Sequence, residues 1–360
     1  MKGLASLALM LSLTAFWVTE AQASPLEYAQ PGMTSSVRKV RNVTAGPLKY
    51  ITVSVQPTES PEIGRAQVET AISTGFNSIR IIMDWSYPKQ NEVENDFARL
   101  CNVAAPAAEH GLKLFLNVIP TKRKPPVTSS QITWYNKTVS DYLHHLAGEN
   151  GCAKGLSELL VQVANEPNYE LFWPQTAAAE EYTRLLVRTY KFIRQQVAKH
   201  EFSVPVLVVG GELAASRDPI GFMERMRGEA RKMRYRGPFF DLFSYHCYGT
   251  AGNAVTPPDA VFAALSANFG SEVPLLCTEY ADESPAQGAK YCQALGMAVS
   301  KGLTGFGWFR LFDDPVPAYT GIYYYDPALG QQDHQPAAKP SLNKVRQANS
   351  GAASGAVACG

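Results

Sequence analysis

Leu159-Leu160-Val161-Gln162-Val163-Ala164-Asn165-Glu166-Pro167-Asn168 opens as an apolar, β-branched run of strand length and stops abruptly at Asn, Glu and a Pro unable to extend a ladder. A carboxylate is thereby delivered at the C-terminal lip of a buried strand. Parallel α/β proteins place their chemistry at that lip, because crossover helices cover both faces of the sheet and leave only the strand ends open. Taken alone, the segment reads equally as a strand ending in a polar turn with Glu166 solvated. The surrounding chain decides between the two.

Upstream, Lys49 to Val55 alternates β-branched residues and Glu62 to Ser73 carries helical spacing. Gly75-Phe76-Asn77-Ser78-Ile79-Arg80-Ile81-Ile82-Met83-Asp84-Trp85 is then a turn feeding a second buried strand. A helix over Asp96 to His110 closes on Gly111, and Lys113 to Val118 is a third strand. The basic, Pro-rich loop Pro120 to Val127 leads to an amphipathic helix over Ser130 to Leu146. Downstream come a helix over Ala177 to His200, a strand Val204 to Val209 ending in Gly210-Gly211-Glu212, and a helix over Ile220 to Arg234. A strand Asp241 to Tyr245 ends in His246-Cys247-Tyr248-Gly249, and a helix Pro258 to Asn268 follows. A strand Pro274 to Thr278 ends in Glu279, a helix spans Ala286 to Lys301, Gly305 to Leu311 is the last strand, and Ser341 to Ala348 is a final helix. About eight strands, each leading to a helix, predict a (β/α)8 TIM barrel. A doubly wound sheet would need a Gly-rich phosphate turn after the first strand, where the chain has Gln56-Pro57-Thr58-Glu59.

Lys2, the apolar run Leu4 to Val18 and Ala21-Gln22-Ala23 before Ser24 form the three parts of a secretory signal. The expected organisation is a signal peptide over 1–23, an N-terminal arm over 24–47, the barrel over 48–349 and a disordered tail over 350–360. The mature chain is expected to be secreted or periplasmic, monomeric, and without a membrane span. With 360 residues, 46% hydrophobic and 18% charged, it can bury a large core, and a net charge of +1 gives no reason to expect nucleic acid as a partner. Cys101, Cys152, Cys247, Cys277, Cys292 and Cys359 are too sparse for a dense framework; one or two bridges are expected, with connectivity open. Asn42-Val43-Thr44 and Asn136-Lys137-Thr138 fit the glycosylation sequon.

Barrel closure makes neighbours of strand ends that are distant in sequence. The mouth would gather Arg80 or Trp85, Asn117, Asn165, Glu166, His246, Tyr248, Glu279, Trp308 and Arg310. Two glutamates at one mouth are what glycoside hydrolysis needs: one protonates the leaving oxygen while the other, ionised, attacks or stabilises the anomeric carbon. No H-E-x-x-H, C-x-x-C or G-x-S-x-G motif is present, and the reading calls for no metal and no cofactor. Cys277 lies two residues before Glu279 and is therefore expected on the same face, as a buried thiol. Asn117 is taken as structural.

At these residues the chain resembles the retaining glycoside hydrolases of clan A, particularly family 5, the cellulase-like family, and family 39. Gly75 to Arg80 with Trp85 looks like the second-strand motif of family 5, and Asn165-Glu166-Pro167 is similar to the clan's fourth-strand motif. Ser244 to Gly249 looks like the sixth-strand His-x-Tyr segment, Thr278-Glu279-Tyr280 resembles the seventh-strand nucleophile motif, and Trp308 stands where the eighth-strand tryptophan belongs. Family 5 usually has a histidine after the third strand; this chain has Leu116-Asn117-Val118-Ile119-Pro120 there. The resemblance implies Glu166 as acid/base, Glu279 as nucleophile, Arg80 as the cation that keeps Glu279 ionised, and Asn165 on the sugar 2-hydroxyl. It further implies His246 and Tyr248 as positioning groups, Trp308 as a sugar platform and a β-linked polysaccharide or oligosaccharide as substrate. A transglycosylase on the same scaffold and a non-catalytic glycan-binding barrel are the alternatives.

Overall fold

The structure, a computed structural model, describes residues 46–85, 90–119, 125–174, 176–248, 256–282, 286–311 and 342–357. Eight parallel strands alternate with eight helices and close in sequence order, the last pairing with the first. The strands are β1 Tyr50–Val55, β2 Ser78–Asp84, β3 Lys113–Ile119, β4 Glu158–Val163, β5 Val206–Ala214, β6 Leu242–His246, β7 Leu275–Tyr280 and β8 Gly305–Trp308. The helices are α1 Pro61–Ser73, α2 Gln90–Glu109, α3 Ser129–Ala147, α4 Ala178–Ala198, α5 Pro219–Lys232, α6 Pro258–Phe269, α7 Gln287–Ser300 and α8 Leu342–Ser354. This is the (β/α)8 barrel that the spacing predicts.

Local chemistry starts α1 and α3 within a residue of where the sequence says, whereas α2 begins at Gln90, six residues before the expected Asp96. Ser60 caps α1 by accepting from the Ile63 amide, with Pro61 in the first turn, and Thr128 and Gln131 form a capping box on α3. The period-2 alternation of each strand then divides the core in two. Outward-facing residues such as Ile51, Val53, Ile79, Ile81, Leu114 and Leu159 pack against the helix layer. Tyr50, Phe115, Leu160, Val209, Leu242 and Leu276 form a separate apolar floor inside the barrel. Above that floor the interior turns polar, because Thr52, Ser54, Ser78, Arg80, Asn117, Gln162, Ser244, His246, Thr278 and Glu279 are all buried.

Several expectations change. The strand expected to stop at Val209 runs on to Ala214 through a bulge, and its last residues enter the site. The sequence predicts a disordered tail past residue 350, yet α8 continues to Ser354, with Ala352 buried and its carbonyl accepting from the Leu48 amide. Asn136, within a sequon, is buried, and its side-chain oxygen accepts from the Thr189 hydroxyl at 2.7 Å, so it faces α4 and not a glycan. Two disulfides join described residues. Cys101–Cys152 closes a separation of 51 residues, worth about 4 kcal/mol on the chain-entropy account, and Cys247–Cys277 ties the end of β6 to β7. The signal peptide, residues 24–45 of the arm, Lys122-Arg123-Lys124 and the Asn42 sequon lie outside the described residues. Among the described residues no helix is long and apolar enough to cross a membrane.

Candidate active site

Arg80 is the spine of the site. On β2 it alternates with Ile79 and Ile81, which face the helices, so its side chain enters the barrel and is wholly buried. Its Nε donates to Gln162 Oε1 at 2.7 Å, Nη1 to Glu279 Oε1 at 2.6 Å and Nη2 to Glu212 Oε2 at 3.1 Å. A planar guanidinium with five donors in a fixed fork is the side chain suited to holding three acceptors on β4, β5 and β7 at once.

Glu166 follows the end of β4. Its φ of 40° is one a non-glycine residue seldom takes, and its amide donates to the Glu212 carbonyl at 2.9 Å. Asn168 clamps the same turn to β5, giving a hydrogen bond to the Ala214 carbonyl and taking one from the Ala214 amide. His246, at the end of β6, is wholly buried and bridges the carboxylates. Its Nδ1 lies 2.7 Å from Glu166 Oε1 and 3.5 Å from Glu279 Oε2, and its Nε2 is 3.1 Å from Glu212 Oε2. The two Nδ1 legs sum to an upper limit of about 6.2 Å between those oxygens of Glu166 and Glu279. Tyr248 Oη donates to Glu279 Oε2 at 2.7 Å. Asn165 is buried beside them, its Oδ1 3.5 Å from Arg80 Nη2 and 3.4 Å from Asn117 Nδ2.

Electrostatics follow from the packing. Burial alone would push Glu212 up, but the hydrogen bond from His246, the Arg80 charge and the Ser244 hydroxyl hold its carboxyl down at about 2. Burial alone would push His246 down, but Glu279, Glu166 and Glu212 raise it to about 10. Burial, followed by the charge and hydrogen bond of Glu279, pushes the Tyr248 phenol well above 10. Two cations, Arg80 and His246, thus stand among three glutamates, Glu166, Glu212 and Glu279.

In structure the chain is similar to a glucosidase from Croceicoccus marinus, with TM-score 0.61 and 14% identity over 86% of this chain and 70% of that one. A GH30 endoxylanase from Clostridium papyrosolvens aligns with TM-score 0.54 and 12% identity over 85% and 72%. Gas2p of Saccharomyces cerevisiae, in complex with laminaripentaose, aligns with TM-score 0.53 and 14% identity over 87% and 66%. What the chain shares with these proteins is the (β/α)8 barrel. No protein-family model matches the chain, and no curated protein matches it in sequence.

Within that barrel Arg80, Asn165, Glu166, His246, Tyr248 and Glu279 come together as the strand ends imply. Trp308 does not. It is wholly buried, packed against Tyr291 of α7 at 4.9 Å and Tyr280 at 5.6 Å between ring centroids, so it has no face to offer a sugar. The cause is register: Gly305 and Gly307 take the inward positions of β8, and Phe306 and Trp308 take the outward ones. Cys277 is likewise corrected. A bulge gives β7 one extra residue between Cys277 and Glu279, so Thr278 and Glu279 both face inward while Cys277 faces out, bonded to Cys247 and not free. Asn117 touches the site through Asn165. Glu212 enters the sequence reading only as the residue that ends the fifth strand, with no place at the site; its signal is the Gly210-Gly211 pair that precedes it, where a strand can take a bulge.

Proposed function

We propose that the chain is a secreted retaining β-glycoside hydrolase that cleaves O-glycosidic bonds of a β-linked polysaccharide or oligosaccharide by double displacement. The observation that carries this is the limit of about 6.2 Å between facing oxygens of Glu166 and Glu279. Retaining pairs stand about 5–5.5 Å apart, whereas inverting pairs need about 6.5–9.5 Å to admit a water. Glu279, held by Arg80 and Tyr248, is the nucleophile: an oxygen lone pair forms the bond to the anomeric carbon as the glycosidic bond breaks. Glu166 gives its proton to the leaving oxygen. In the second step Glu166 takes a proton from water, whose oxygen displaces Glu279 and restores both groups. Arg80, Asn165, His246 and Tyr248 position the pair and the reacting sugar, and the described similarity to a glucosidase and an endoxylanase supports the substrate class.

A panel of aryl β-glycosides tests the reading, together with an activated 2-fluoro glycoside that stalls on the nucleophile. Turnover with retention at the anomeric centre and a label mapped to Glu279 are expected. Glu166→Gln and Glu279→Gln should each lose about 10²-fold or more in rate. Release of products longer than the substrate when an acceptor saccharide is added would make the enzyme a transglycosylase. Glycan binding without turnover by the wild type would overturn the hydrolase and leave a binding barrel.

A further inference from the structure

Glu212 has no task in that double displacement, yet five side chains from four strands converge on it. Arg80 Nη2 and His246 Nε2 each stand 3.1 Å from Oε2. Gln162 Nε2, the Ser244 hydroxyl and, at 3.1 Å, the Thr278 hydroxyl donate to Oε1. Behind it, Tyr182 of α4 accepts from the Gly211 amide and offers no charge. The Arg80 guanidinium and the Gln162 amide nitrogen can only donate and the two hydroxyls can donate as well, so an ionised, acceptor-only carboxylate suits this shell, with His246 carrying a proton on Nε2. Its other nitrogen then faces Glu166 and Glu279, with Tyr248 against the ring edge at 6.2 Å between centroids.

We propose that Glu212 is a positioning residue: it keeps His246 doubly protonated with Nδ1 aimed at Glu166 and Glu279, and so sets the pH range in which that pair works. The second half rests on the hydrolase reading; the first does not. A buried glutamate is expensive unless it is fully paired, and a counter-charge beneath the imidazolium is a use that accounts for the expense. The same arrangement gives the direction of both shifts, Glu212 down to about 2 and His246 up to about 10. Deleting the Glu212 charge leaves Arg80 and His246 facing only Glu166 and Glu279. The surplus positive field makes every remaining proton in the cluster easier to lose.

Glu212→Gln leaves an amide oxygen for Nε2 and removes the charge. Both limbs of its kcat/KM profile should move to lower pH by about one unit, since each limb reports a group in this field. A merely structural loss would lower the whole profile without moving its limbs. Ring ¹⁵N spectra, with His246 assigned by comparison with His246→Gln, should show a wild-type imidazolium at pH 8 and, in Glu212→Gln, a ring that loses its proton at a lower pH than the wild-type ring does. The proposal is overturned if the wild-type ring is neutral at pH 8, a result that needs no variant to fold, or if both limbs stay in place. A shifted His246 titration in a protein that hydrolyses no glycoside would uphold the hold of Glu212 on His246 and refute the hydrolase.

Discussion

Arg80 on β2 donates to Glu279 on β7 across the barrel interior at 2.6 Å, with side-chain exposures of 0% and 8%. One guanidinium therefore neutralises the proposed nucleophile and, through Nη2, the carboxylate of Glu212. Arg80→Met removes the cation and leaves two buried carboxylates facing each other, which costs about 3–5 kcal/mol. Urea unfolding should register that loss. Arg80→Lys keeps a charge but cannot reach Gln162, Glu212 and Glu279 together, so it should recover part of the stability and little of the rate. Wild-type turnover in Arg80→Lys would show that charge alone suffices and that the fork is idle.

Stability should fall on both sides of a mildly acidic optimum. His246 rises from 6.5 to about 10 on folding, so the native state binds its proton more tightly; its contribution is complete below pH 6.5 and disappears as pH climbs through 10. Glu212 falls from 4.5 to about 2, so its contribution is complete above pH 4.5 and disappears as pH drops through 2. Thermal unfolding followed from pH 3 to pH 10 (roughly the span of both titrations) should show the highest Tm near pH 4.5–6.5. His246→Gln should flatten the alkaline slope. A wild-type Tm that keeps rising to pH 10 would contradict the buried imidazolium.

Trp308 belongs to the barrel's outer packing. Trp308→Ala should cost about 3–5 kcal/mol, the range for deleting a large buried aromatic. Trp308→Phe, which refills most of the volume between Tyr280 and Tyr291, should leave KM for a bound oligosaccharide within about twofold, because no sugar face is lost. A tenfold rise in KM at native stability would return Trp308 to the role of platform.

The barrel was legible because its signals are periodic: apolar runs such as Leu159 to Val163 alternate with amphipathic helices and polar stops. Glu166 and His246 were legible because each stands where a strand ends. Glu212, the outward turn of Cys277 and the burial of Trp308 depend on which way a side chain faces, and one inserted residue reverses that parity without changing composition. On β7 the extra residue separates Cys277 from Glu279, although a spacing of two would put them on one face. On β8 two inward glycines displace the bulk outward.

The bulge on β5 makes the sharpest test of that account. Val209 lies on the barrel floor, and Gly210 points outward, where an added Cβ would lie 2.9 Å from both Leu186 and Phe240. Regular alternation would turn the residue three past Val209 outward. Glu212 nevertheless faces in, because Gly211 at φ +97° absorbs the extra residue and Glu212 follows at φ 51°. In Gly211→Ala the new Cβ would stand 2.3 Å from the Ser244 carbonyl oxygen, in a backbone region that alanine enters at a cost of about 1–2 kcal/mol. Relief requires the backbone to move, and Glu212 moves with it, away from Arg80 and His246. Gly211→Ala should therefore unfold at least about 2 kcal/mol more easily and shift the kcat/KM profile to lower pH as Glu212→Gln does. Gly228→Ala in α5, where nothing lies within 4 Å of the added Cβ, is the control and should gain about 0.5–1 kcal/mol at unchanged activity. Equal stability and an equal profile in the two variants would mean that the bulge does not aim the carboxylate.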